Sequence, residues 1–311
     1  MILNPAFVKR FLFLSLLTLT LRVSLVYLTL PHMNQLKGDP RSIGVFDSGV
    51  GGLTVASSIR SILPGEDIVY LGDLLHLPYG SKSPRAVLEF TRAAVGFLVG
   101  RRVKLIVIAC NTATSIAMEQ VEKEVDVPVV GVIKPGAVAS CAVSKNKRIG
   151  VIGTTRTIES DAYKTAIGEI DPGVQVFQRA TPLLVPLIEE GWLGHPVLEL
   201  VLSEYLNAFR ETMIDTIVLG CTHYPIIKNE ISRLLEGVAV VDSARTTAEN
   251  TKSLLDGHGA LNGRKGGGST SIHLTDHTEA FGAIGRMIVG KEEFNAQVVN
   301  LSYSQGKVTY S

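Results

Sequence analysis

Cysteine is scarce in this chain of 311 residues: there are three, Cys110, Cys141 and Cys221. So few, in an odd number, exclude a disulfide framework and point to a reducing compartment with free thiols. No C-x-x-C pair occurs, which removes the usual zinc-ribbon and thioredoxin-like centres. Charge of one sign is not in excess, the formal net charge being +1, so nothing marks a nucleic-acid or membrane partner. Metal ligands are not gathered either. His273 and His277 have metal-compatible spacing but no third ligand near them in sequence, and no metal is expected. A membrane-length apolar run is missing as well. Phe11 to Leu21 is interrupted by Arg22 before Val23 to Leu30, and an arginine in mid-span costs about 2.5 kcal/mol or more. Lys9 and Arg10 precede the run as in a signal peptide, but no small-x-small cleavage site precedes Pro31. Residues 1–42 are read as an N-terminal extension outside the fold, with Met33 as the alternative start and a cytoplasmic location.

From Ser42 onward, apolar runs alternate with amphipathic stretches. Strands are expected at Ile43–Phe46, Ile68–Leu71, Leu105–Ala109, Val129–Val132, Ile149–Ile152, Gln175–Gln178, Thr216–Leu219 and Ala239–Val241. Helical patterns cover Pro84–Val99, Ala113–Glu124, Ile158–Ile170, Val197–Thr212, Ile226–Leu235, Thr247–Leu255 and Thr278–Val289. Gly257–Ser271 reads as a loop, with one short strand near Ile272. Short strands separated by helices of this length make parallel sheets covered on both faces. An internal echo links Ile43-Gly44-Val45-Phe46-Asp47-Ser48 to Ile149-Gly150-Val151-Ile152-Gly153-Thr154. It suggests two similar α/β domains facing one another across a cleft.

Two cysteines share a setting. Cys110 lies in Ile-Ala-Cys-Asn-Thr-Ala-Thr and Cys221 in Leu-Gly-Cys-Thr-His-Tyr-Pro, each after an apolar strand and before hydroxyl and amide side chains. The carboxyl end of a parallel strand, facing a helix N-terminus, is where α/β proteins place chemistry. A helix N-terminus and the nearby His223 both favour thiolate. Free cysteine is also a common core residue, which is the reading for Cys141. Asp47-Ser48-Gly49-Val50-Gly51-Gly52-Leu53-Thr54 follows the first strand. Thr54 stands where a dinucleotide fingerprint needs glycine, and no Walker pattern occurs. Pro78-Tyr79-Gly80 reads as a turn whose N–H groups are placed for a carboxylate. Gly153–Thr157 and Asp242-Ser243 suit helix caps or a cleft. Glu189 and Glu190 form a solvated face or reach that cleft, and Lys134 sits in a turn with a solvent-facing or hinge role.

Together these stretches, with Gly131-Val132-Ile133-Lys134-Pro135-Gly136, resemble the glutamate racemases of the cofactor-independent aspartate/glutamate racemase superfamily. The resemblance runs from about Ile43 to Val289. It implies two doubly wound parallel-sheet domains related by a pseudo-twofold, residues 43–136 plus 246–311 and residues 137–245, with the active site between them. It further implies interconversion of L- and D-glutamate without cofactor or metal, supplying D-glutamate for peptidoglycan. Cys110 and Cys221 match the catalytic cysteines, and Asp47 and His223 the residues that assist them. Ser48, Tyr79, Gly80, Asn111, Thr112, Thr154 and Thr222 match substrate-binding positions, Asp47 and His223 also touching substrate. Glu189 matches an acidic position near the site. The implied partner is the small-molecule substrate, with no nucleic acid or membrane required and a homodimer left open. Two thiols suit the chemistry, since one removes the Cα proton and the other returns one from the opposite face. Rival readings are a racemase for aspartate or another amino acid, a non-catalytic two-domain binding protein, and a hydrolase using Cys221 and His223.

Overall fold

The structure, a computed structural model, describes residues 38–290, 294–304 and 307–310. Most of the N-terminal extension, up to residue 37, lies outside the described residues. The chain runs β1 Ile43–Asp47, α1 Leu53–Ile62, β2 Ile68–Gly72, α2 Pro84–Gly100, β3 Leu105–Ile108, α3 Asn111–Glu124 and β4 Val129–Gly131. It continues α4 Ile133–Val143, β5 Arg148–Gly153, α5 Thr155–Glu159, α6 Ala162–Ile170, β6 Gln175–Ala180, α7 Leu184–Glu189 and α8 Pro196–Leu206. Then come β7 Thr216–Gly220, α9 Lys228–Leu234, β8 Ala239–Asp242, α10 Ser243–Gly257, β9 Thr270–Leu274 and α11 Glu279–Val289. The described chain closes with β10 Ala296–Val298, β11 Leu301–Ser304 and β12 Lys307–Tyr310.

Two parallel sheets result, in the orders β10-β9-β2-β1-β3-β4 and β6-β5-β7-β8. The segment β2-β1-β3-β4 repeats as β6-β5-β7-β8, so the echo between Ile43–Ser48 and Ile149–Thr154 joins the equivalent strands β1 and β5. β11 and β12 form a separate antiparallel hairpin. Parallel strands covered on both faces need apolar residues on both, and β1, β3 and β7 are buried at every position. Phe46, Ile106 and Ile108 pack with Phe97 and Leu98 of α2 and Ala113 and Ala117 of α3. In the second sheet, Ile217 and Leu219 pack with Leu198, Leu202 and Tyr224 on one face. Ile149, Val151 and Val218 pack with Ile133, Tyr163 and Ile167 on the other.

The expected strands are present, shifted by a residue or two at their ends. The helices need correction. Ile158–Ile170 is two helices, broken where Asp161 adopts a left-handed φ of 53°. Val197–Thr212 is α only to Leu206 and then a 3-10 turn, and Ile226–Leu235 begins as a 3-10 turn at Tyr224. Lys134 stands in the first turn of α4, exposed, rather than in a loop. Cys141, on the same helix, is half-buried against Ile133 and Ile167. The chain leaves the first sheet through α4, which packs on α6, and returns through α10, which packs on α1.

Among the described residues no helix is long and apolar enough to cross a membrane. None of their His, Cys, Asp and Glu side chains gather in threes to hold a metal. His273 is buried with its ring edge on Phe97, and His277 is exposed.

Candidate active site

In each sheet the strand order reverses at the centre, between β1 and β3 and between β5 and β7. Chain connections diverge there and leave a crevice at the carboxyl ends. Cys110 follows β3 and Cys221 follows β7, so both thiols occupy such crevices. Cys110 is also the N-cap of α3: its Sγ accepts from Ala113 N at 3.4 Å, and its thiol donates to Ser48 Oγ at 3.4 Å. Sulfur replaces the oxygen that N-caps ordinarily use, as Thr154 does for α5 and Asp242 for α10.

Asp47, at the end of β1, is fully buried beneath the crevice. Its Oδ2 accepts from Gly49 N at 3.0 Å and Gly52 N at 2.9 Å, and its Oδ1 accepts from Thr222 Oγ1 at 3.4 Å. The two glycines after Val50 are required by close approach. A Cβ at Gly52 would lie 2.3 Å from Asp47 Cβ, and one at Gly51 would lie 2.5 Å from His223 Nδ1. His223 is buried with Nδ1 3.8 Å from Cys221 Sγ and Nε2 3.0 Å from Glu189 Oε1 at the end of α7.

A cavity of about 410 Å³ joins these groups. Ser48, Tyr79, Gly80, Cys110, Asn111, Thr112, Thr154, Glu189, Cys221, Thr222 and His223 all line it. Asp47 does not; it lies beneath and reaches the cavity through Ser48 and Thr222. Glu190 is exposed. The two halves meet around this space. Thr112 Oγ1 is 2.9 Å from Thr154 Oγ1, Thr54 Oγ1 donates to the Thr222 carbonyl at 3.1 Å, and Arg156 Nε donates to the Lys82 carbonyl at 3.1 Å. Tyr79 is fixed from behind by Asp73, which accepts from its hydroxyl at 2.6 Å and from Thr275 Oγ1 at 2.8 Å. Part of the cavity wall is apolar, with Leu77, Pro182, Val185, Pro186 and Phe281. That wall escaped the sequence reading, because apolar residues in loops and at helix ends read as packing.

The electrostatics correct one expectation. Cys110 is not held as a thiolate by its helix. Burial and the nearby Asp47 carboxylate outweigh the hydrogen bonding shared with Ser48 and received from Ala113 N, and the neighbouring Cys221 adds to the rise. The Cys110 pKa is pushed from an ordinary 9.0 to about 12. His223 goes the other way in charge. Burial disfavours its cation, yet the close contacts and negative charges of Cys221 and Glu189 prevail, raising its pKa well above the usual 6.5. Burial also raises the Asp47 pKa, with the charge of His223 and the N–H groups of Gly52 and Gly49 opposing it. The cavity therefore pairs a neutral thiol on one side with a sulfur facing a cationic imidazole on the other.

Residues 45–251 match the family model described as Asp/Glu/Hydantoin racemase. A glutamate racemase of Geobacter metallireducens is 45% identical over 251 residues, 80% of this chain and 93% of that protein. The crystal structure of the glutamate racemase isoform RacE1 from Bacillus anthracis superposes with a TM-score of 0.80 at 36% identity, covering 85% of this chain and 98% of that one. The Francisella tularensis glutamate racemase in complex with D-glutamate gives 0.79 at 38% identity, covering 84% and 97%. With its two parallel sheets and paired strand-end cysteines, the chain belongs to the Asp/Glu/Hydantoin racemase family.

Proposed function

We propose that the chain is a glutamate racemase that interconverts L- and D-glutamate by a two-thiol mechanism. The observation that carries this reading is the pair of strand-end sulfurs, Cys110 and Cys221, on one cavity, each from its own sheet. On this reading the sheets belong to two domains, residues 43–136 plus 246–311 and residues 137–245, and substrate Cα lies between the sulfurs. Cys221 takes the proton from one face with His223 as its proton partner, and the neutral Cys110 delivers a proton to the other. For the enantiomer presented in the reverse sense, the roles exchange. Glu189 holds His223 in place, and Asp47 fixes the turn that carries Ser48.

Removing a Cα proton leaves negative charge on the α-carboxylate. Preorganised N–H and hydroxyl donors stabilise such charge, each worth about 10²-fold or more in rate. Asn111, Thr112, Thr154 and Thr222 are the donors of this kind on the cavity wall. D-glutamate made in the cytoplasm would feed peptidoglycan synthesis. The test is circular dichroism of purified protein with L-glutamate and no added cofactor, beside a panel containing L-aspartate. Decay of the L-glutamate signal to zero is expected, with solvent deuterium gained at Cα in deuterium oxide. Faster decay of aspartate, or a static glutamate signal, refutes the assignment.

A further inference from the structure

Asn111 is buried, 1% exposed, and lines the cavity. Its Oδ1 accepts from the Tyr163 hydroxyl at 2.7 Å. Its Nδ2 is buried and meets no hydrogen-bond partner among the described residues. An amide has two chemically opposite ends, and a buried donor left unpaired is costly. A donor held in this way fits a ligand that brings an acceptor. Tyr163, fully buried on α6, belongs to the second sheet's layer, whereas Asn111 opens α3 in the first.

We infer that Tyr163 is a positioning residue: it sets which end of the Asn111 amide faces the cavity, so that Nδ2 donates to a carboxylate oxygen of the substrate. The inference rests on the racemase reading and names the group that orients one of its donors. Turned over, the amide would present Oδ1 to an anionic oxygen and Nδ2 to the phenol, whose proton would lose its acceptor. Burial, with the negative charges of Cys221 and Asp242, raises the Tyr163 pKa far above the usual 10.0, so the hydroxyl keeps its proton to donate. The ring is fully buried and lies close against two glycines. A Cβ at Gly136 would lie 3.3 Å from Cε1, and one at Gly220 would lie 3.1 Å from Cε2. Gly220 precedes Cys221, so the same ring buttresses the second thiol's strand. The hydrogen bond spans the two sheets, and the donor is presented only when they are together.

Tyr163→Phe removes the hydroxyl and keeps the ring. Its kcat/KM for glutamate should fall about tenfold, and D-glutamate affinity by calorimetry should weaken in step. In an Asn111→Ala background the same change should cost less than twofold in D-glutamate affinity. Unchanged values for Tyr163→Phe, or equal losses in both backgrounds, overturn the proposal, the second assigning the loss to packing. If Tyr163→Phe does not fold, Asn111→Asp reads the same polarity. It replaces the inward donor by an acceptor of the same size and should bind D-glutamate more weakly than Asn111→Ala; equal or tighter binding overturns the idea. A wild-type protein inactive on glutamate removes the racemase reading and this proposal together. An active wild type with an indifferent Tyr163→Phe removes this proposal alone.

Discussion

Cys110 and Cys221 occupy equivalent points in two sheets of the same strand order, yet their surroundings differ in kind. Cys110 caps a full helix, shares a hydrogen bond with Ser48 and lies close above the Asp47 carboxylate. Cys221 leads into a short 3-10 turn and faces His223, which Glu189 supports from behind. Like topology thus carries unlike electrostatics. Two bases in identical settings would share one protonation state, whereas proton removal and return need opposite states at the outset. The residue after each thiol's first neighbour is decisive: Thr112 follows Asn111, but His223 follows Thr222. Asp47 and Glu189 extend the asymmetry, one pushing a thiol toward neutrality and the other holding an imidazole positive.

The largest expected effect comes from breaking either side outright. Cys110→Ser and Cys221→Ser should each cut racemisation by at least about 10³-fold, in line with loss of a general acid or base, while unfolding midpoints stay near wild type. Full turnover by either variant removes the paired mechanism. A smaller effect should follow from His223→Asn, which deprives only Cys221 of its proton partner and is expected to cost about 10²-fold. Enantiomers are equal in free energy, so kcat/KM must fall equally from both directions. The separate kcat and KM values need not, and a split between L- and D-glutamate is expected because the two substrates start at different sulfurs. Identical kcat and KM changes from both sides would mean that His223 serves both thiols alike.

Much of this was legible in the chain because parallel strands announce themselves. Ile43–Phe46 and Thr216–Leu219 are buried on both faces and so apolar throughout, and the turn after each needed small or polar residues. The helix after Cys110 was visible only in part: it was expected from Ala113, but it opens at Asn111 with a thiol where serine or aspartate would cap. Less visible was what depends on distant partners. Tyr163 on an amphipathic helix reads as core, and nothing local shows that its hydroxyl meets Asn111, 52 positions away. Asp47 was placed at a strand end, but its burial beneath the crevice depends on Gly51 and Gly52 letting Thr222 and His223 close over it. The expectation of a thiolate at Cys110 failed for the same reason, because desolvation and Asp47 come from the packed fold rather than the helix. The strands after α11 escaped because they are short, and β10 joins the sheet edge through a partner strand, β9.

The smallest effect is thermodynamic and sharpens the comparison through unfolding rather than turnover. In the unfolded chain Cys110 ionises near 9, and in the folded protein near 12. Between these values the native state keeps a proton that the unfolded state has lost, so stability falls as pH rises. The contribution is intact below pH 9 and reaches about 4 kcal/mol of loss near pH 12. Tyr70, Tyr79 and Tyr224, all raised well above 10.0 by burial, add their own losses at higher pH. Cys141, raised by burial from 9.0 to about 11, adds a decline common to wild type and both variants. The difference between the proteins is therefore what isolates Cys110, and it is read from pH 9 to 10, below the tyrosines. Urea unfolding there should show a shallower alkaline decline for Cys110→Ser than for wild type, by up to about 1.4 kcal/mol per pH unit. Cys221→Ser removes the thiol beside His223 and should keep most of the wild-type slope, with only the small relief that losing its neighbouring charge gives Cys110. Equal slopes for wild type and Cys110→Ser would place Cys110 in an ordinary environment, and the contrast between the two thiols would then rest on His223 alone.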